Sequence, residues 1–174
     1  MSTFFTSDLH FNHVNLITNI RHMTVEENNK LIIDNWNKVV HKKDVVYILG
    51  DITMENHRDI AEFIKQLKGI IYVIGGNHDT RQCCTQLALS GIPVMGCIDY
   101  HHFILSHMPV DMSNLCGKLG NIHGHIHKSD DHYQFQMGPK YYNVNTEFHK
   151  YTPVDFEDIK KHFININNNT NANR

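Results

Sequence analysis

The chain is nearly balanced in charge and free of any apolar run long enough to cross a bilayer. Its four cysteines (Cys83, Cys84, Cys97, Cys116) show no C-x-x-C spacing. That argues against a thiolate metal site and suits free thiols in a reducing compartment. The formal net charge of −2 provides no global basic field, so a long nucleic acid is not favoured as a partner. The opening Met1-Ser2-Thr3-Phe4-Phe5 enters a strand at once, without a basic n-region or an extended apolar stretch. The resulting expectation is a cytoplasmic protein that does not engage membranes, with self-association into a homo-oligomer left open.

The 174 residues suit one domain with a sizeable core. Histidine is abundant, at 15 residues, and imidazole is both the commonest metal ligand and the side chain that titrates near neutral pH. Apolar runs at 3–7, 44–49 and 70–74 predict strands, each followed by a loop rich in glycine, Asp or Asn. Thr24-Val25-Glu26-Glu27 is a capping-box pattern opening a helix to about Val40, whose core face carries Val25, Ile32, Trp36 and Val39. Further helices are expected at 59–67, stopped by Gly69, and at 81–89, ending at Gly91. Later segments at 94–100, 102–106, 119–123, 133–136 and 141–145 read as strands with short connections. A last helix is expected over 155–163. The order, βαβα first and mostly β afterwards, predicts an α/β sandwich of two packed sheets with helices outside. Residues 1–164 form the expected domain, and the asparagine-rich tail 165–174 is expected to be disordered.

Five short segments place metal-binding side chains beside loop glycines or at strand ends. They are Asp8-Leu9-His10, Gly50-Asp51, Gly76-Asn77-His78-Asp79, Ser106-His107 and Gly124-His125-Ile126-His127. Asp8, His10, Asp51, Asn77, His107, His125 and His127 make a donor set large enough for two metal ions around one bridging carboxylate. If Asp8-Leu9-His10 is extended, Asp8 and His10 project to the same side, because side chains alternate with period two. The mixture of oxygen and imidazole donors suits Mn, Fe, Zn, Co or Ni rather than a thiolate-seeking metal.

In order and residue type these segments resemble the signature of the calcineurin-like metallophosphoesterases, D-x-H, G-D, G-N-H-[DE], H, G-H-x-H. The extension Asn12-His13 after the first segment resembles small bacterial and phage members of that superfamily. The resemblance spans Asp8 to His127 and implies a four-layer α/β/β/α fold of two mixed sheets flanked by helices. It implies two divalent metal ions, Mn first among the candidates. By resemblance Asp8, His10 and His127 serve the first ion, Asp51 bridges, and Asn77, His107 and His125 serve the second. It also implies a catalytic His78 that hydrogen-bonds a phosphoryl oxygen or protonates the leaving oxygen. Asp79 is read either as a cap for the next helix or as a partner that orients His78. His13 and Asn12 are candidate substrate contacts, as are Arg21 and Arg81, because a guanidinium matches phosphate geometry. Asn143-Val144-Asn145 is either a plain strand end or a support for the metal site.

The phosphoprotein phosphatases extend the second motif as G-D-x-V-D-R-G. Here Met54 and Glu55 stand where the second Asp and the Arg would be, which argues against a protein phosphatase. The resemblance therefore implies a phosphoesterase acting on a small phosphodiester, a cyclic nucleotide among the candidates, by attack of a metal-bridging hydroxide. A phosphomonoesterase, nucleotidase or nuclease is the alternative within the superfamily, and a catalytically silent metal-binding scaffold the alternative outside catalysis. The retained His78 and the full ligand set count against the scaffold.

Overall fold

Unbroken apolar runs belong to strands buried on both faces, and three of them build the first sheet. The computed structural model of the chain describes residues 1–53, 60–129 and 138–172, with side chains to residue 166. Its first half holds β1 (Thr3–Thr6), α1 (Val14–Asn19), α2 (Val25–Val39), β2 (Val45–Ile48), α3 (Ile60–Gln66), β3 (Ile70–Ile74) and α4 (Arg81–Leu89). The second half holds β4 (Val94–Met95), β5 (Ile98–Tyr100), β6 (Phe103–Leu105), β7 (Gly120–His123), β8 (Tyr141–Asn143), β9 (Val154–Asp155) and α5 (Phe156–Ala172), with 3-10 turns at Met112–Leu115 and Thr146–His149.

Strands β1 to β4 run parallel, and β9 pairs antiparallel with β1, giving the order β4-β3-β2-β1-β9. The second sheet has the order β5-β6-β7-β8, with its first pair antiparallel and the others parallel. These are two mixed sheets flanked by helices, the α/β architecture expected from the motif order.

Register decides which side chains meet. Phe4 pairs with Val46, and Val46 with Ile71. All three lie in one core with Ile32 and Trp36 of α2, Ile60 and Ile64 of α3, and Leu87 of α4. One residue along, Phe5 pairs with Tyr47 and points the other way, as period two requires. Phe5, Leu49 and Ile74 form a second core with Phe103, Leu105 and Ile122 of the other sheet and with Phe156, Ile159 and Phe163 of α5. The Phe5 ring stacks on Tyr47 at 5.5 Å and meets Phe156 at the same distance. Helix α2 starts as read: Thr24 and Glu27 complete a reciprocal capping box. Trp36 is fully buried, and its indole N–H donates to the Lys68 carbonyl.

Some expectations needed correction. The strand read over 94–100 is two strands, because β4 joins the first sheet and β5 the second, with the chain crossing at Gly96-Cys97. One strand cannot pair in both sheets. The segment after His10 holds a short helix, α1, capped by the His13 side chain. Strand β9 was not foreseen; two residues carry no periodicity. Helix α5 continues past Phe163 into the asparagine-rich segment as far as Ala172, where a disordered tail was expected. The strand expected at 133–136, and Met54 and Glu55, lie outside the described residues.

Phe5 is the one aromatic side chain of β1 that faces the second sheet. Phe5→Ala is expected to destabilise the fold by about 3–5 kcal/mol, read as a lowered urea midpoint with an unchanged slope. Thr24→Ala, which removes only the cap, is expected to cost about 1 kcal/mol in the same assay.

Candidate metal centre

The loops that follow β1, β2, β3, β6 and β7 at their C-terminal ends supply the seven candidate ligands, at the strand ends where open α/β sheets bind ligands. The two sheets are stapled together there. Ser7 donates its N–H to the Val144 carbonyl and accepts from Thr146 N–H, a parallel bridge between the extensions of β1 and β8. On its other side the same loop is laced to the β2 loop: Asp8, His10 and Phe11 donate N–H to the carbonyls of Gly50, Asp51 and Ile52.

Asp8 and His10 are not on an extended segment. Their φ angles are 57° and 49°, and Asn12 follows at 62°. Left-handed residues alternate with Leu9 and Phe11, which are buried in the first core. Asp51 (φ 56°) and His125 (φ 70°) share this conformation. Each such non-glycine residue costs on the order of 1 kcal/mol or more, and strain of this kind concentrates at functional sites.

Asp8 Oδ2 accepts from Ser7 Oγ at 2.5 Å and from His125 N–H at 3.0 Å. Its other oxygen, Oδ1, has no hydrogen-bond partner and lies 3.8 Å from His10 Nε2 and 3.7 Å from His127 Nε2. His10 is buried with both ring nitrogens unpartnered. Buried polar atoms are rarely left so, and here they converge: one ligand atom from each of Asp8, His10 and His127 lies within 4.8 Å of the others. Asp8, Asp51 and His107 form a second such group. Asp51 Oδ1 accepts from His78 N–H at 2.9 Å, while Oδ2 lies 3.7 Å from His10 Nε2 and 3.4 Å from His107 Nε2, between the two groups. Asn77 Oδ1 sits 2.8 Å from His107 Nε2 and 3.0 Å from His125 Nδ1. The unpartnered atoms and the hard oxygen and imidazole donors fit divalent metal ions. His107 Nδ1 donates to the Leu49 carbonyl, which leaves Nε2 as its ligand atom.

Burial raises the Asp8 carboxyl to about 6, although His107 and His127 oppose it. Burial would also raise Asp51, but the hydrogen bond and charge of His107 hold it at about 2. Burial alone would lower His107, and the Asp51 hydrogen bond and charge carry it up to about 9. His10, enclosed without a partner, is held neutral far below its usual value, by burial above all.

His78 is half-exposed beside this cluster, with Nε2 3.9 Å from Asp51 Oδ2 and its ring 5.6 Å from that of His10. His13 lies at the same mouth, its ring 5.3 Å from His10 and 6.4 Å from His78. Asn12 Oδ1 accepts from Asn29 of α2, which ties the loop to the helix. Arg81 is exposed in the first turn of α4.

Arg21 is not a phosphate contact. Its guanidinium is buried and donates to the carbonyls of Asp8 and Leu9, to Asn28 and to Glu147. Neither reading of Asp79 holds. Thr80 caps α4, and the Asp79 carboxylate instead gathers the N–H groups of Asp51, Ile52 and Gly76, pinning two ligand loops together. Asn143 and Asn145 do support the site, since both donate to the Ile126 carbonyl between His125 and His127. Sequence reasoning missed Glu147, whose Oε1 takes the His127 Nδ1 hydrogen at 2.9 Å. Its only signal is position, just past Asn143-Val144-Asn145.

Two outcomes are expected. An ion must displace the protons of Asp8, His107 and His127, the last raised, against burial, by the Glu147 carboxylate, so affinity rises with pH. Apparent affinity should climb on the order of tenfold or more per pH unit between about 6 and 9, through the imidazoles, more steeply below about 6, where Asp8 adds a proton, and flatten above about 9. Competition titrations across that range check the slope. Gly124 faces Asp8 so closely that a Cβ would lie 2.6 Å from Asp8 Oδ2 and 2.3 Å from Ser7 Oγ. Gly124→Ala should displace the carboxylate and weaken metal binding by about 10-fold or more, measured by calorimetry.

The calcineurin-like phosphoesterase family pattern matches residues 1–166. An uncharacterized protein from Methanocaldococcus jannaschii is 37% identical over 163 residues, covering 89% of this chain and 87% of that protein. The gene 66 protein of Mycobacterium phage L5 is 39% identical over 83 residues, which cover 45% of this chain and 40% of the phage protein. Among solved structures, a protein of unknown function from Aquifex aeolicus shares the fold, with a TM-score of 0.71 at 23% identity, covering 92% of this chain and 98% of that one. On the family pattern, which spans nearly its whole length, the chain belongs to the calcineurin-like phosphoesterase family.

Proposed function

We propose that this family member hydrolyses a small phosphodiester at two divalent metal ions, Mn the first candidate. The observation that carries the reading is the unpartnered buried His10 Nε2 facing both the unpartnered Asp8 Oδ1 and Asp51 Oδ2, with His78 standing half-exposed beside Asp51. Asp8, His10 and His127 would hold one ion and Asn77, His107 and His125 the other, with Asp51 between the two groups available to both. Two bound ions supply a Lewis acid for the phosphoryl oxygens and a water-derived nucleophile near neutral pH.

The chain's own residues do the rest. Asp79 fixes the Asp51 loop against the Gly76 loop, and the His78 N–H orients Asp51 through its Oδ1. The half-exposed His78 imidazole hydrogen-bonds a phosphoryl oxygen or gives a proton to the leaving oxygen. His13 flanks it and adds a second imidazole to the mouth.

Charge favours a diester over a monoester. A monoester dianion calls for fixed cations, and Arg21, one of the two arginines read as candidate phosphate contacts, turns its guanidinium inward. Among the described residues, the rings beside the ligands at the mouth are His13 and His78, while Arg81 stands exposed on α4. That arrangement suits a singly charged phosphodiester, cyclic nucleotides included. The balanced overall charge does not favour a long polynucleotide.

The test is turnover of bis-p-nitrophenyl phosphate against p-nitrophenyl phosphate by metal-stripped protein reloaded with Mn. Diester turnover that needs metal and falls by about 100-fold or more in His78→Ala is the expected result. Faster monoester turnover would replace the reading with a phosphatase or nucleotidase. Turnover of neither ester nor of any cyclic nucleotide, with two ions bound, would favour a scaffold.

A further inference from the structure

The geometry assigns to Glu147 the role of positioning residue for the Asp8/His10/His127 group: it fixes which nitrogen of His127 faces the ion, and through Arg21 it locks that ring to the backbone of Asp8. This rests on the reading that the group holds a metal ion.

Glu147 is buried, and both its oxygens are used. Oε1 is shared between His127 Nδ1 at 2.9 Å and Arg21 Nε at 3.0 Å, and Oε2 accepts the Lys128 N–H at 3.2 Å. A carboxylate accepts only, so Nδ1 of His127 must be the protonated nitrogen. Nε2, on the side of Asp8 Oδ1, is left as the ligand atom. A carboxylate behind a ligating imidazole sets its tautomer and makes it a stronger base toward the metal.

The arginine makes this more than a local pair. From one guanidinium, Nη2 donates to the Asp8 carbonyl at 2.7 Å and Nη1 to the Leu9 carbonyl at 3.0 Å and Asn28 Oδ1 at 2.9 Å. Asp8 and His127, far apart in sequence, are thus held to one rigid node. Glu147 is itself anchored, its N–H bound to Asn145 Oδ1. His107 lacks this arrangement, because its Nδ1 faces the neutral Leu49 carbonyl. The two groups are therefore unequally supported, and loss of Glu147 should be felt by one of them.

Metal-stripped full-length chain titrated calorimetrically with Mn(II) tests this. Wild type is expected to show two binding events. Glu147→Gln, which keeps the shape and removes the charge, should weaken one event by about 10–100-fold and leave the other within about twofold. His127→Ala should weaken the same event and so identify it. Unchanged binding in Glu147→Gln overturns the assignment, and so does equal weakening of both events, which would report general structural loss. No Mn binding by wild type would instead overturn the metal reading, and this assignment with it. If Glu147→Gln does not fold, nitrogen-edited NMR of the Zn-loaded wild type decides. A slowly exchanging proton on His127 Nδ1, identified by its absence in His127→Ala, supports the assignment. A proton on Nε2, or fast exchange at Nδ1, overturns it.

Discussion

The stretch from Ser7 to Phe11 is the constraint on which the site depends. Its backbone is bonded on one side to the loop after β2 and on the other to the extension of β8, so it belongs to both sheets at once. The chain does so by placing Asp8 and His10 in left-handed conformations, with Leu9 and Phe11 sunk into the first core between them. Strain and burial are thus coupled. The unfavourable φ angles persist because two fully buried side chains and the flanking hydrogen bonds hold them. Ligand geometry is set by packing, and a change in the core beneath Leu9 or Phe11 would reach the ligands without touching them.

The glycines of the motifs answer a related demand. A Cβ on Gly76 would lie 2.2 Å from Asp51 Oδ1, and one on Gly124 would meet Ser7 and Asp8. Three loops from two sheets approach closely enough that backbone occupies the space a side chain would need. Asp79 uses the same closeness, collecting donors from the Asp51 and Gly76 loops in one carboxylate. The spacing of G-D and G-N-H-D in the sequence is therefore a packing requirement as well as a ligand list.

What could be read in the sequence follows from this. Strands buried on both faces announce themselves as apolar runs, and β3 and α4 fall where expected. Candidate ligands carried by contiguous motifs could also be named, because their order is local information, and the fold brings them together. What was not legible depends on distant partners. A lone arginine carries no direction: Arg21 turns inward because Glu147 and the Asp8 and Leu9 carbonyls await it there. Glu147 belongs to no motif and matters only because a 3-10 turn brings it behind His127. The split of 94–100 between sheets, and the two residues of β9, are likewise tertiary decisions without a periodic trace. The left-handed ligands escaped notice because D-x-H fits an extended strand equally well.

Charge gives the site its direction of action. Asp8, Asp51, Asp79 and Glu147 are all buried within a few side chains of one another. Burying anions is tolerated only when each is paired or hydrogen-bonded. Asp79 is met by three backbone N–H groups, and Glu147 by Arg21 and His127. Asp51 is held ionised by His107, and Asp8, with one oxygen unpartnered, has its carboxyl raised to about 6. Two of the four anions are thus settled by the protein alone. The other two face imidazoles and each other, and a metal cation, in place of the proton on His107, is the species that satisfies both. The fixed anions that draw metal ions inward would repel a bare phosphate. On the proposed function, bound ions would offset those charges, and His13 and His78 would be left to receive an anionic ester. Under that proposal, metal binding would be the condition for substrate binding as well as for its hydrolysis.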